Sequence, residues 1–158
     1  RSETRAPMKK TLALTALLCA VRAIAADATY DEKADARADI RTALAAAQQA
    51  KLPVLVVFGA NWCGDCKMLD AAFKTGASAP LMAASFRIVK VDVGRFDHNV
   101  DIATGYGVPL KNGIPAVAVL AADGRLLYAT AGGELADARK MGDAGVLDFF
   151  TKVAARHR

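Results

Sequence analysis

Apolar and polar positions along this chain follow two different periods, and the switches between them mark its elements. Residues Asp35 to Gln49 are rich in Ala, Leu, Arg and Gln, with Ile40, Leu44 and Ala47 spaced for one face of a helix. Pro53 ends that segment. Val54 to Phe58, VLVVF, is an unbroken β-branched and aromatic run between Pro53 and Gly59, the pattern of a strand buried on both faces. From Cys63 through Phe73 the helical period returns, with Met68, Leu69, Ala72 and Phe73 on its apolar side, and Ala79 to Ser85 prolongs or follows it. Phe86 to Val93 alternates as a second core strand, and Val100, Ile102, Ala103 and Tyr106 predict a short helix ending near Gly105 or Gly107.

Gly113 to Leu120 predicts a further strand, Ala121 to Gly124 a hairpin turn, and Arg125 to Thr130 the antiparallel partner. After a loop opened by Gly132-Gly133, residues Val146, Leu147, Phe149, Phe150 and Val153 give a closing helix its apolar face. Helix, strand, helix, strand, helix, strand, strand, helix is the order of an α/β fold with a central mixed β-sheet flanked by helices on both faces. No repeat, low-complexity tract or phosphate loop interrupts it. Gly105-Tyr106-Gly107 lacks a strand-to-helix setting and reads as loop.

A length of 158 residues, 54% hydrophobic and 23% charged, suits one globular domain with a short appendage. The net charge of +5 is local in origin. Met8-Lys9-Lys10, the apolar run Thr11 to Val21 and the small residues Ala23 and Ala25 have the layout of a secretory signal, with cleavage expected after Ala25. RSETRAP, before Met8, is set aside as upstream sequence. The apolar run is short and broken by Arg22, so a spanning helix is not expected, and Leu18 before Cys19 argues against a lipid anchor. Residues 26–158, expected as a single domain that is periplasmic or secreted, retain a charge of only +1. Nucleic-acid binding thereby loses its compositional support.

The mature chain then holds two cysteines, Cys63 and Cys66, in NWCGDCK. A strand ending at Gly59 and a helix beginning near Cys63 place the first sulfur at a helix N-terminus, where unpaired N–H groups and the dipole favour a thiolate. Cys66, one turn on, is placed to resolve a mixed disulfide at Cys63. A zinc site would need two further ligands, and only His98 and a terminal His157 are available; a structural disulfide here closes too small a loop to add much stability. Two isolated thiols fit a reducing compartment poorly matched to export. Redox chemistry without metal or cofactor is the favoured reading.

PVLVVFGANWCGDCK resembles the active-site stretch of thioredoxin, and YGVPLKNGIPAVAVLAADGRLLY resembles its later segment, where Ile-Pro precedes a hairpin. The resemblance spans roughly Leu52 to Tyr128 and is strongest to exported thioredoxin-like and disulfide-isomerase-like proteins of bacteria. It implies a thioredoxin-like fold in which Pro115 is a cis proline facing the cysteines and Ile114 offers backbone groups to an extended substrate. It also implies that Trp62 is a platform beside the nucleophile, against the alternative of a plain packing residue, and that Gly64 and Asp65 modulate the pair. Expected partners are disulfide-containing protein substrates and an upstream donor such as a membrane reductase, with the protein itself a monomer.

Three departures stand out. Val57 occupies the place of the buried acid that the family often carries, Lys90 loses its partner and is expected to be solvated, and Asp65 replaces a proline. An exposed carboxylate at 65 would repel the Cys63 thiolate by ~1.4 kcal/mol at ~6 Å and an effective dielectric near ~40, against up to ~2 kcal/mol from the helix dipole. A less favoured thiolate predicts a reductant or isomerase, with a potential of roughly −220 to −280 mV. The alternatives are a dithiol oxidase, or a peptide-binding or chaperone module with incidental cysteines. Asp92, Asp97, His98 and Asp101 are expected to form a solvated loop with a helix cap instead of a metal site.

Overall fold

The computed structural model describes residues 28–157; the candidate export segment lies outside them. Helix α1 covers Ala36–Ala50. Asp35 caps it by accepting from the Ala38 amide at 3.0 Å, and Lys51 closes it in a left-handed conformation. Strand β1, Val54–Gly59, is buried at every position, as its unbroken apolar run requires.

Helix α2 covers Gly64–Lys74 and α3 covers Ala79–Ser85, followed by β2, Arg87–Asp92. A short helix α4, Val100–Gly105, and a 3-10 turn, Leu110–Asn112, lead to β3, Ala116–Leu120, and β4, Leu126–Ala129. The sheet order is β2-β1-β3-β4, with β1 parallel to β2 and antiparallel to β3, and β4 antiparallel to β3. One face of β1 and β3, through Val54, Val56, Phe58, Ala116 and Ala118, packs on α1 and α4. The other face, through Leu55, Val57, Val117 and Val119, packs on α2, α3 and the last helix. The result is the mixed, doubly covered sheet that the element order predicts.

Two boundaries differ from the sequence reading by more than one residue. Strand β3 begins at Ala116 and not Gly113, because Gly113 has φ 105° and the Ile114–Pro115 bond is cis, so neither extends the ladder. The last helix, α5, runs Ala138–Arg156, well before the apolar stripe at Val146. Its backbone breaks at Gly142 (φ 65°, ψ 178°), and the first segment is anchored by the fully buried Leu135 and Ala138.

Candidate active site

The centre of the site is the turn between β1 and α2. Gly59 ends the strand because nothing larger fits: a Cβ there would lie 2.2 Å from Tyr30 Oη and 3.0 Å from Cys66 Sγ. Asn61 holds the turn against the chain ahead of α1. Its Oδ1 accepts from the Tyr30 amide at 2.8 Å, and its Nδ2 donates to the Tyr30 carbonyl at 2.9 Å. Tyr30 is thereby pinned beneath the turn, almost wholly buried, and burial together with the charges of Asp70 and Asp92 drives its phenol well above its ordinary pKa.

Cys63 is the N-cap of α2, and its sulfur accepts from the Cys66 amide at 3.1 Å. That is the helix-terminus position expected for it. The two cysteines form a disulfide with Cα atoms 5.2 Å apart. Cys63 is buried but retains 5% exposure and lines the pocket beside it, whereas Cys66 has none. Opposite stands the cis Ile114–Pro115 bond, with the Ile114 carbonyl oxygen 3.6 Å from Cys63 Sγ.

Trp62 is half exposed beside the disulfide. Its indole N–H donates to the Gly94 carbonyl at 2.8 Å, its ring meets Phe96 edge to face at 5.9 Å, and Arg95 sits over it at 5.6 Å. It is therefore half exposed at the surface while its ring packs on Phe96 and Arg95. A pocket of about 540 Å³ is lined by Trp62, Cys63, Gly64, Asp65, Ile114 and Arg139, among others. The structure thus gathers four of the residues expected from sequence, Trp62, Gly64, Asp65 and Ile114, around Cys63. Cys66 lies beneath, and Pro115 is buried behind Ile114.

Asp65 is not the bare carboxylate that its sequence context suggests. Its Oδ1 accepts from the Arg139 amide at 2.9 Å and its Oδ2 from the guanidinium at 3.1 Å. Burial pushes the Asp65 carboxyl up, but the hydrogen bonds and charge of Arg139 outweigh it and hold the pKa below the usual carboxylate value. The repulsion on Cys63 is correspondingly offset by a guanidinium at the same helix end.

Lys90 is not an ordinary solvated lysine either. Its Nζ lies 2.7 Å from Asp70 Oδ1, while Lys74 Nζ reaches Asp70 Oδ2 at 2.8 Å. Val57 is buried and apolar as read, and the acid that pairs with Lys90 is Asp70, on α2 one turn below Cys66. Sequence reasoning missed Asp70, Arg139, Tyr30, Asn61 and Phe96. The i, i+4 spacing of Cys66 and Asp70 was the available signal for the first of these.

The polar cluster after β2 divides. Asp97 accepts from the Arg95 amide and Asp101 pairs with Arg37, as a solvated loop predicts. Asp92 is instead buried; its Oδ2 accepts from the Gly94 amide at 2.9 Å, and its Oδ1 has no hydrogen-bond partner. The cap of α4 is Asn99, which makes no side-chain capping bond but donates to the Asp92 carbonyl. Among the described residues no group of three His, Cys, Asp or Glu side chains could hold a metal ion, and no helix is long and apolar enough to cross a membrane.

The family model described as thioredoxin-like matches residues 35–122, and the chain belongs to that family. It is a thioredoxin-fold thiol–disulfide oxidoreductase whose C-x-x-C pair is Cys63–Cys66. It is similar to a crystal structure described as a disulphide isomerase from Xylella fastidiosa Temecula1, at 50% identity and TM-score 0.75, covering 78% of this chain and 95% of that one. Thioredoxin 1 of Chlorobaculum tepidum is 39% identical over 83 residues, 52% of this chain and 73% of that protein. The reduced C-terminal domain of Neisseria meningitidis DsbD, at 22% identity and TM-score 0.53 over 77% of this chain and 96% of that one, shares the fold.

Proposed function

We propose that this is an exported oxidoreductase that reduces or isomerises disulfides in protein substrates, with Cys63 as nucleophile and Cys66 as resolving thiol. The observation that carries this reading is the asymmetry of the pair: Cys63 opens into the pocket while Cys66 is sealed. In the reduced protein the Cys63 thiolate, at the N-terminus of α2, attacks one sulfur of a substrate disulfide, and the other substrate sulfur leaves as a thiolate that takes up a proton. Cys66 then gives up its proton and attacks the Cys63 sulfur. The substrate's first sulfur departs, two electrons have passed to the substrate, and the Cys63–Cys66 bridge remains. Isomerisation differs in that a different thiolate of the substrate attacks the substrate sulfur of the mixed disulfide, which forms a new substrate pairing and releases Cys63 as a thiolate with no net transfer of electrons.

Ile114, with Pro115 behind it, borders the Cys63 sulfur, and the Ile114 carbonyl is an acceptor for an extended substrate backbone. Trp62 supplies a flat apolar surface beside it, Gly64 leaves room for Arg139, and Asp65 sets the local charge. The 50% identity to a structure described as a disulphide isomerase supports the isomerase branch. Export rests on the signal-like residues 1–25, and recharging of the dithiol would fall to a membrane reductase.

The deciding experiment is equilibration with glutathione together with insulin-disulfide reduction. The expected potential is roughly −220 to −280 mV, and Cys63→Ser is expected to lose reduction entirely. A potential near −120 mV would make the protein an oxidase, and activity retained by Cys63→Ser would sink the assignment.

A further inference from the structure

To resolve a mixed disulfide Cys66 must become a thiolate, yet the residue is fully buried, and a buried charge without a hydrogen-bond donor is unfavourable. Its own helix turn does not serve it. The Cys66 amide donates to Cys63 Sγ, and Val57, two residues before Gly59 on the same face of β1, is apolar.

A polar group does face the sulfur from behind. The point at which a side chain on Gly59 would begin lies 2.2 Å from Tyr30 Oη and 3.0 Å from Cys66 Sγ, so hydroxyl and sulfur meet across the open face of a glycine. Tyr30 is 2% exposed, and its backbone amide and carbonyl are both bonded to Asn61; the hydroxyl is no part of that clasp.

The groups around the phenol keep it protonated. Burial, together with the charges of Asp70 on α2 and Asp92 at the end of β2, opposes its ionisation, and Lys90 Nζ lies 5.9 Å from its ring centroid. Both carboxylates are engaged elsewhere. Asp70 has one oxygen on Lys90 and the other on Lys74, while Asp92 Oδ2 accepts from the Gly94 amide and has His98 Nδ1 at 3.5 Å. What stands behind Cys66 is a neutral hydroxyl with its proton in place.

We infer that Tyr30 is the donor for the resolving step: once the bridge is open, its hydroxyl hydrogen-bonds the Cys66 sulfur and stabilises the thiolate that attacks Cys63. The inference rests on the redox reading above and assigns a residue to its second half alone. Tyr30 keeps its own proton throughout. The Cys66 S–H bond breaks, its sulfur bonds to Cys63 Sγ, the bond from Cys63 to the substrate breaks, and the departing substrate sulfur takes up a proton.

The test uses the whole protein and Tyr30→Phe, which removes the hydroxyl and keeps the ring. A peptide disulfide whose two halves carry different fluorophores reports attack by Cys63 and release by Cys66 as separate phases in stopped flow. The first phase is expected to match the parent, and the second to slow by about tenfold, as the loss of one charge-assisted hydrogen bond implies. Titration of the Cys66 thiol, followed through its Cβ NMR signal in the Cys63→Ser protein, is expected to move up by about one pH unit when Tyr30→Phe is added. Equal second phases, with the Cys66 titration unmoved, would overturn the donor and leave the redox reading standing. Equal slowing of both phases would assign the tyrosine to packing and overturn the donor as well. Failure of the parent protein to release either half would overturn the redox reading and the inference with it.

Discussion

Asp65 and Arg139, 74 positions apart, are joined by two hydrogen bonds: the Arg139 amide donates to one carboxylate oxygen and the guanidinium to the other. This pair ties the start of α5 to the second of the two residues between the cysteines. It also places a compensated charge, not a bare one, beside Cys63. Arg139→Ala leaves the carboxylate uncompensated, so thiolate formation in the reduced protein, followed by ultraviolet absorbance, is expected to move to higher pH by up to about one unit. The potential should become more negative. Asp65→Asn, which frees the guanidinium, should move both quantities the other way. Shifts of the two variants in the same direction would rule out charge as the cause.

Asp70 links the helix below the disulfide to β2. Burial acts to raise its carboxyl, but hydrogen bonds from Lys74 and Lys90, and their charges, hold it below its ordinary value of 3.8. A depressed carboxylate stabilises the fold fully above the unfolded-state value, and that contribution is lost as pH falls through the lower folded value. Asp70→Asn is therefore expected to cost about 1–2 kcal/mol at neutral pH, as a lost charge-assisted pairing. Urea unfolding at a series of pH values should show that cost shrinking as pH falls through and below the ordinary carboxylate range. A deficit that stays constant across this range would show that the carboxylate's charge is not what matters.

Gly59 is dictated by the two groups that close over it. In Gly59→Ala the new methyl would overlap Tyr30 Oη and Cζ, at 2.2 and 2.4 Å. Overpacking of this kind costs about 1–3 kcal/mol. Tyr30→Leu, which withdraws the ring, should recover part of the loss, so that the double variant is more stable than the sum of the two changes predicts. Additive costs in a denaturant-melting cycle would mean that the tyrosine is not the obstacle.

The core of the fold was legible because its signals are local. The run Val54 to Phe58 between Pro53 and Gly59 admits only a buried strand, and Cys63 falls at the strand-to-helix junction by counting residues. The Ile114-Pro115 motif likewise identified the segment opposite. The rest of the site depends on residues brought together from distant positions. Arg139 lies in a Gly- and Asp-bearing stretch without apolar periodicity, and its helix is anchored by Leu135 and Ala138 instead of by a stripe. Lys90 was read against the vacant place at Val57, whereas its partner sits on α2. Tyr30 precedes every predicted element, and Phe96 takes a backbone conformation that its residue type argues against.

The clasp between Asn61 and Tyr30 has a consequence for where this domain can be cut. Trimmed to the first residue of α1, the chain would keep every strand and helix and would look complete by secondary structure. It would nonetheless lack the ring that backs Cys66 over Gly59. A cavity of aromatic size would open behind the disulfide, and the sulfur that is now sealed would face water from its rear. The residues just ahead of α1 are thus part of the packing around the disulfide, although they belong to no regular element.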